Sequence, residues 1–362
     1  MEFFLNKKIK FYKNKNYFFY KFCFILKKMN ILIIGNNKKR DIIYNSIKKD
    51  YTNLKYLDTN KIFFKKNKYL NYIFYLFPFF FEKYLNNFFN KYIKNNYDII
   101  LIISVDYISK KALIKIKSKS KKVIAYVPDN PFVNRDKNRF FFFNKSINFY
   151  DKIIFIQKSR INLANKKKLK NIQLIWPCFS NKIHKKNKII KNELKLLNND
   201  VVFIGTHFHE RSIFFEKLIR LGLDLKIYGT RWDEAKNFKF LKKNIQLGHV
   251  DGTNYSKIIQ CSKIALCLPS QENLDDITIR NVEIPAIGSL LCSKRTNEAK
   301  KLLKEDHEAI YFNNAYECYT KCKYYLENPN KLNKIASNGN RKIKSLKIDY
   351  GTTFKKIFKN IK

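Results

Sequence analysis

Short apolar runs alternate with stretches of helical periodicity over most of this chain. In the first half the runs fall at 30–34, 99–103, 122–127, 152–156 and 172–176. Helical patterning lies between them, at about 38–48, 67–95, 107–118 and 158–168. Strands separated by helices predict a parallel sheet with helices on both faces. Trp176-Pro177 closes the last run, and the Lys/Asn-rich stretch 181–199 then reads as a linker. The alternation resumes at Val201, with runs at 201–204, 225–228, 263–268, 289–292 and 309–312. Helices are predicted at 210–221, 253–261, 278–287, 295–304, 315–327 and 330–345, and a last one within 348–361. The pattern therefore divides the chain into an N-terminal arm (1–28), a Rossmann-like domain (29–180), the linker (181–199), a second Rossmann-like domain (200–345) and a C-terminal helix (346–362). Met29 directly precedes the first buried run, so the basic, aromatic arm reads as lying outside the fold.

A length of 362 residues suits two domains, and 45% hydrophobic content excludes global disorder. The net charge of +45 rests on 64 Lys and 10 Arg against 29 acidic residues. Such a field draws in phosphate-rich partners: an anionic membrane, a nucleotide-linked substrate or nucleic acid. Nucleic-acid binding is the alternative class, but no reading motif accompanies the charge. The seven cysteines contain no CxxC pair and read as reduced, buried thiols of a cytoplasmic protein. Cys318 and Cys322 lie four apart without a histidine nearby, so no metal site is expected. No segment reaches the roughly 20 apolar residues that span a bilayer. The aromatic run Tyr72–Phe81, broken by Pro78, reads as either a buried helix or a membrane-facing patch. The expected location is cytoplasmic, with peripheral contact at the inner membrane face as an option.

Leu266–Ser293 carries the densest chemistry, LCLPSQENLDDITIRNVEIPAIGSLLCS. It reads as strand, polar loop, helix and strand. The loop holds Ser270, Asp275, Asp276 and Thr278; the helix holds Arg280 and Glu283 on one face, with Pro285 and Gly288 to kink or stop it. A polar loop at the carboxyl end of a parallel strand is where open α/β sheets bind ligands. Thr, Arg and Glu at a helix N-terminus suit a ligand with phosphate and sugar hydroxyls.

This segment resembles the C-terminal domain of group 1 glycosyltransferases, most closely the branch of the spore-maturation protein CgeB. The resemblance rests on Asp276 or its neighbour, Arg280, Glu283, Ala286 and Gly288. It extends over Phe203–Thr206, Arg211, Ile227–Thr230, Trp232, Gly248, Tyr255, Ser262–Leu266 and Tyr324–Pro329. It covers 200–345 well and 29–180 only through the Rossmann-like pattern and Tyr126-Val-Pro-Asp-Asn130. It implies the GT-B fold, two Rossmann-like domains facing each other across a cleft. The implied activity transfers a sugar from a nucleotide-sugar to a glycan, lipid or protein acceptor, as a hexosyltransferase does, with no metal or other cofactor. A GT-B-like interaction protein without activity is a further alternative.

The resemblance puts the donor diol on Glu283, with seven residues between it and Asp275, where relatives more commonly carry Glu first. Gly205, Thr206 and Arg211 suit a diphosphate, and Gly229, Thr230 and Arg231 end a second strand. Trp232 reads as a wall for the base or as a buried core residue. Gly248 ends a third run. Candidates for the acceptor chemistry are Asp106 and Asp129, both after strands, with His207 beside the Gly205 loop; His184 and His307 read as incidental. There is no Ser-His-Asp order, Walker loop or HExxH, and Gly35 lacks the GxGxxG of a dehydrogenase.

Overall fold

A computed structural model of the chain describes residues 28–133 and 136–360. The expected arm therefore lies, but for Lys28, outside the described residues. Two compact units form. Of the described residues, one comprises those up to Phe155, Ala164–Gln173 and 354–360; the other comprises Ile156–Leu163 and Leu174–Thr353.

The first unit is built on β1 (Asn30–Gly35), β2 (Asn53–Asp58), β3 (Tyr97–Ile102), β4 (Ser120–Val127), β5 (Lys152–Phe155) and β6 (Ile172–Leu174), in the order β2-β1-β3-β4-β5-β6. Strands β1, β3 and β4 pair in parallel, and their apolar cores are buried on both faces. That double burial is why they read as continuous apolar runs. The edge strand β2 was not expected. Its sequence NLKYLD buries only Leu54 and Leu57 and leaves polar residues outward, so no apolar run marks it. The expected helix over 67–95 breaks into Lys68–Leu76, a short turn Pro78–Phe81, and Glu82–Tyr92. Pro78 has no N–H to continue the first helix.

The second unit contains β7 (Asn199–Ile204), β8 (Leu225–Gly229), β9 (Ile245–Leu247), β10 (Ser262–Cys267), β11 (Leu290–Lys294) and β12 (Ile310–Phe312). Their order, β12-β11-β10-β7-β8-β9, is the dinucleotide-fold order, and the pairs run parallel. Successive side chains divide between two cores. Val202, Ile204, Ala265 and Leu291 point to one, and Val201, Phe203, Ile264 and Leu290 to the other. The strand β9 was again missed, being only three residues long, with Gln246 in its middle, and at the edge. Within the expected linker, Lys191–Leu197 is helical, and the stretch belongs to this unit.

The Arg280–Ile287 helix ends as expected, with Gly288 in the left-handed region at φ 114°. Pro285 cannot donate, and Asn340 Nδ2 caps the free carbonyls of Pro285 and Ala286 at 2.6 and 2.8 Å. The helix that carries Arg280 and Glu283 is thereby fixed against the Pro329–Ser345 helix.

Candidate donor and acceptor sites

In the second unit the chain leaves β7 toward β8 on one side and reaches β10 on the other, so β7 and β10 flank the switch in strand order. Ligands of open α/β sheets bind outside the carboxyl ends at such a switch. The loops that follow these two strands run over 205–208 and 268–279, and they hold Gly205, Thr206, Ser270, Asp275, Asp276 and Thr278 of the expected donor residues. Arg211, on the His209–Arg220 helix, ties the two loops together. Its guanidinium donates to Thr206 O at 2.8 Å and to Leu268 O at 2.7 Å, and it packs over the Phe208 ring. Burial pushes its pKa down to about 10, so the group stays charged at neutral pH. Two of its donors are thus spent on backbone carbonyls rather than left for a phosphate.

Gly205 and Gly229 touch backbone to backbone. A Cβ on Gly229, whose φ is +150°, would sit 2.0 Å from Gly205 O. The same carbonyl accepts a 2.9 Å hydrogen bond from Trp232 Nε1. Trp232 is fully buried between Phe203, Phe215 and His207, so it serves the core; the base-wall reading is corrected. Gly248 N–H donates to Gly229 O at 3.0 Å, which extends the backbone contact to the end of β9. Thr206 and Thr230 hydroxyls lie 3.4 Å apart. His207 is buried with Nε2 lacking a protein partner, and burial, helped by Arg231, lowers its pKa. Arg231 is exposed and paired with Glu234 at 2.9 Å.

The loop after β10 is braced from inside the unit. Asp275 Oδ1 accepts from Gln157 Nε2, Arg160 Nη2 and Asn273 Nδ2, each at 2.6 Å. Arg160 is only 1% exposed, so this is a buried charge pair. Asp275 is thereby turned toward the protein. Its neighbour Asp276 accepts from Ser159 N–H at 3.0 Å through Oδ2, while Oδ1 is buried without a partner, and burial raises its pKa. Ser270 is buried, and its hydroxyl accepts from Asn273 N–H. Thr278 Oγ1 accepts from Arg280 N–H at 3.1 Å and so caps the helix start.

Glu283 occupies the first turn of that helix and is 4% exposed. One carboxylate oxygen takes Arg280 Nη1, and the other faces His184 Nε2 at 3.4 Å. The histidine's Nδ1 accepts Ser180 N–H at 3.0 Å, which leaves the ring proton on Nε2, pointing at Glu283. Burial lowers the His184 pKa although Glu283 opposes it, so the ring is neutral at pH 7. Burial would raise the Glu283 carboxyl, but His184 and Arg280 hold it below the ordinary carboxylate range. The Arg280 guanidinium carbon lies over the Tyr255 ring, 4.3 Å from its centroid, and the side chain keeps 29% exposure. His184 thus stands in the site although sequence reading passed it over. Gln157 and Arg160 were missed as well, since they meet the loop from distant sequence, and Tyr255 was read only as part of the resemblance.

The first unit places Asp106 and Asp129 together. Both line a pocket of about 110 Å³ with Lys65, Tyr75 and Arg139, at the ends of β1, β3 and β4. Arg139 contacts Asp129 at 3.1 Å, Asp136 at 2.9 Å and Asp106 at 3.6 Å. Burial disfavours its charge, but Asp106 and Asp129 outweigh that and raise its pKa. Lys65 donates to Thr59 and lies over the Tyr107 ring; burial lowers its pKa. A hydroxyl in this pocket would meet two carboxylates that share one arginine. His207 belongs to the other unit.

Cys318 and Cys322 do have a partner: Cys292 joins them, the three sulfurs lying within 4.8 Å of one another. The trio is wholly buried in an apolar core, and among the described residues no fourth His, Cys, Asp or Glu groups with it.

Over 92% of its length the chain is similar in fold to solved structures. The likeness to HepE of Anabaena in complex with UDP-glucose has a TM-score of 0.64 at 12% identity, covering 92% of this chain and 99% of that one. Sucrose-phosphate synthase of Thermosynechococcus elongatus gives 0.64 at 9% identity, with 92% and 99% covered. A glycosyltransferase of Rickettsia africae gives 0.59 at 14%, with 92% and 98% covered. The fold is that of the GT-B glycosyltransferases. Residues 211–357 of this GT-B chain match the family model described as Glycosyl transferase-like. A search of curated proteins finds no match to the sequence. Among the described residues, no helix is long and apolar enough to cross a membrane.

Proposed function

We propose that this protein is a glycosyltransferase of the CgeB-like branch that moves a hexose from a nucleotide-sugar to a glycan, lipid or protein acceptor. The observation that carries the reading is the Arg280–Glu283–His184 cluster, at the N-terminus of the helix beside the β7/β10 switch. A carboxylate can accept both hydroxyls of a ribose diol through charge-assisted bonds. The partly exposed Arg280 and the helix N-terminus can receive the diphosphate. We assign to them the neutralisation of the leaving group, in place of a metal. Arg211 and Asp275 position the two loops, through the carbonyl ties and the Arg160 pair. Asp106 and Asp129 are the candidates to receive the acceptor's proton. HepE was solved with UDP-glucose, which makes UDP the first nucleotide to try.

The experiment is a thermal-shift panel of UDP, GDP and ADP against oligonucleotides, at low and high salt, followed by transfer assays with the matching sugar nucleotides. A nucleoside diphosphate should stabilise the protein at both salts, by about 2.7 kcal/mol at a hundredfold excess over Kd. Turnover should survive a chelator. Stabilisation by oligonucleotides alone, vanishing with salt, would replace the enzyme reading with charge-driven nucleic-acid binding. Loss of turnover in EDTA with recovery on Mn²⁺ would overturn the metal-free assignment.

A further inference from the structure

Soluble helices bury their apolar stripe and expose the polar one. The Lys68–Leu76 helix does otherwise. Phe74 is buried against Phe64 and Tyr107, as a core residue should be. Yet Tyr69, Tyr72 and Ile73, at i, i+3 and i+4, form a second apolar stripe that faces out, 81%, 53% and 41% exposed. The stripe continues into the turn that Pro78 opens. Phe77, Phe79 and Phe80 are 46%, 50% and 74% exposed, and the Phe79 and Phe80 rings lie 4.3 Å apart. Six large apolar side chains along twelve residues are thus left in water together. Single exposed apolar residues are ordinary; a contiguous patch marks a contact surface.

The surroundings of the patch indicate what covers it. Between 61 and 94 the sequence carries seven lysines and one acidic residue, Glu82. Lys61, Lys66, Lys68 and Lys83 are exposed, and Lys137 lies over the Tyr72 ring at 3.8 Å. Aromatic rings with long amphipathic lysines are the side chains that settle at the headgroup level of a bilayer. A second copy of this chain would bring the same positive rim against itself. Residues 1–27, with seven lysines and one Glu, carry the same sign. The complementary partner is an extended anionic surface that also accepts apolar side chains.

We propose that the Tyr69–Phe80 face docks on an anionic lipid bilayer, with the aromatic side chains inserted at the interface and the lysines on the headgroups. The inner side of the same helix supplies Tyr75 to the Arg139 pocket, so one element serves both. The docking does not depend on the glycosyltransferase reading.

The test is sedimentation of the full chain with vesicles of phosphatidylcholine, with and without phosphatidylglycerol. Binding should require the anionic lipid. The Phe77→Ser/Phe79→Ser/Phe80→Ser variant should bind at least about tenfold more weakly with an unchanged melting temperature, since the replaced rings are exposed and interfacial binding scales with buried apolar area. Should that variant fail to fold, Phe80→Trp keeps the question open to measurement, because its added fluorescence should shift to the blue on anionic vesicles. Three results would overturn the proposal: no binding by the parent chain, equal binding by the triple variant, or no spectral shift. The first, accompanied by a parent dimer that the triple variant abolishes in sedimentation equilibrium, would assign the face to a copy–copy interface instead.

Discussion

Glu283→Gln separates the two tasks this residue performs. The substitution keeps the shape and removes the charge. In the parent, both oxygens face donors, Arg280 Nη1 on one side and His184 Nε2 on the other. A glutamine amide has one oxygen and one NH2, so one of these donors must face another donor. His184 cannot relieve the conflict by changing tautomer, because Nδ1 already accepts Ser180 N–H. Both His184 and Glu283 are at most 5% exposed, so water does not fill the gap. A buried donor left unsatisfied costs about 1–3 kcal/mol. Arg280 also loses its counter-ion, but its 29% exposure keeps that cost below the value for a fully buried pair. Together the variant should unfold with about 2–4 kcal/mol less stability, read from the urea midpoint.

Nucleotide affinity, measured by calorimetry well below the melting temperature, should fall separately. Losing charged hydrogen bonds to a ribose diol costs about 1.5–3 kcal/mol, or roughly tenfold to a hundredfold in Kd. The double variant His184→Leu/Glu283→Gln should regain none of the affinity and little of the stability, because removing the opposing donor leaves the buried Ser180 N–H without its acceptor. Lost stability with unchanged affinity for every nucleoside diphosphate would make Glu283 a brace and refute the donor assignment. Unchanged stability would refute the hydrogen-bond reasoning itself.

Gly229→Ala should lower stability by about 2–4 kcal/mol through left-handed strain and the collision with Gly205 O, whereas Gly222→Ala, with open space at φ +91°, should cost about 1 kcal/mol; equal melting-temperature losses would show that the backbone contact is unimportant. Asp275→Asn should destabilise by about 3–5 kcal/mol in urea, because Arg160 at 1% exposure keeps its charge without a counter-ion; a loss below about 1 kcal/mol would mean the loop rearranges freely. His184 has its pKa depressed in the folded state, so the unfolded chain binds more protons once pH falls below the ordinary 6.5. Stability should therefore drop from pH 6.5 downward until the folded value is passed, and His184→Gln should flatten that part of the profile; an unaltered slope would contradict a buried neutral ring.

What the sequence revealed and what it hid follow from how each element is buried. Strands β1, β3, β7 and β10 lie inside their sheets with both faces covered, so four or more apolar residues in a row announce them. Strands β2 and β9 lie toward the edges and mix in lysine, asparagine and glutamine, so the same criterion passes over them. The Arg280–Glu283 pair was visible because helical spacing alone brings i and i+3 together. His184 was not, since 99 residues of sequence separate it from the carboxylate it faces and its neighbours are mostly lysine and asparagine. Trp232 was ambiguous for a chemical reason. An indole serves as a flat wall or as core filling, and what decided between them was a backbone acceptor, Gly205 O, that no local pattern foretells.

Asp275 shows the limit of reasoning from spacing. Its distance from Glu283 in the sequence matches a two-carboxylate pattern, and on a continuous helix two residues eight apart would share a face. The helix begins only at Arg280, however, and 275–279 run as a loop that Thr278 caps. A residue on such a loop points wherever its strongest partner lies. For Asp275 that partner is the buried guanidinium of Arg160, on a separate segment of the same unit, and the pull of a charge shielded from water exceeds what solvent offers. The carboxylate nearer the ligand side by sequence pattern is thus the one turned inward. Its neighbour Asp276 keeps a buried oxygen without a protein partner. On this loop the direction of each carboxylate follows the partner it reaches, a guanidinium for Asp275 and a backbone N–H for Asp276, and spacing along the sequence says nothing of either.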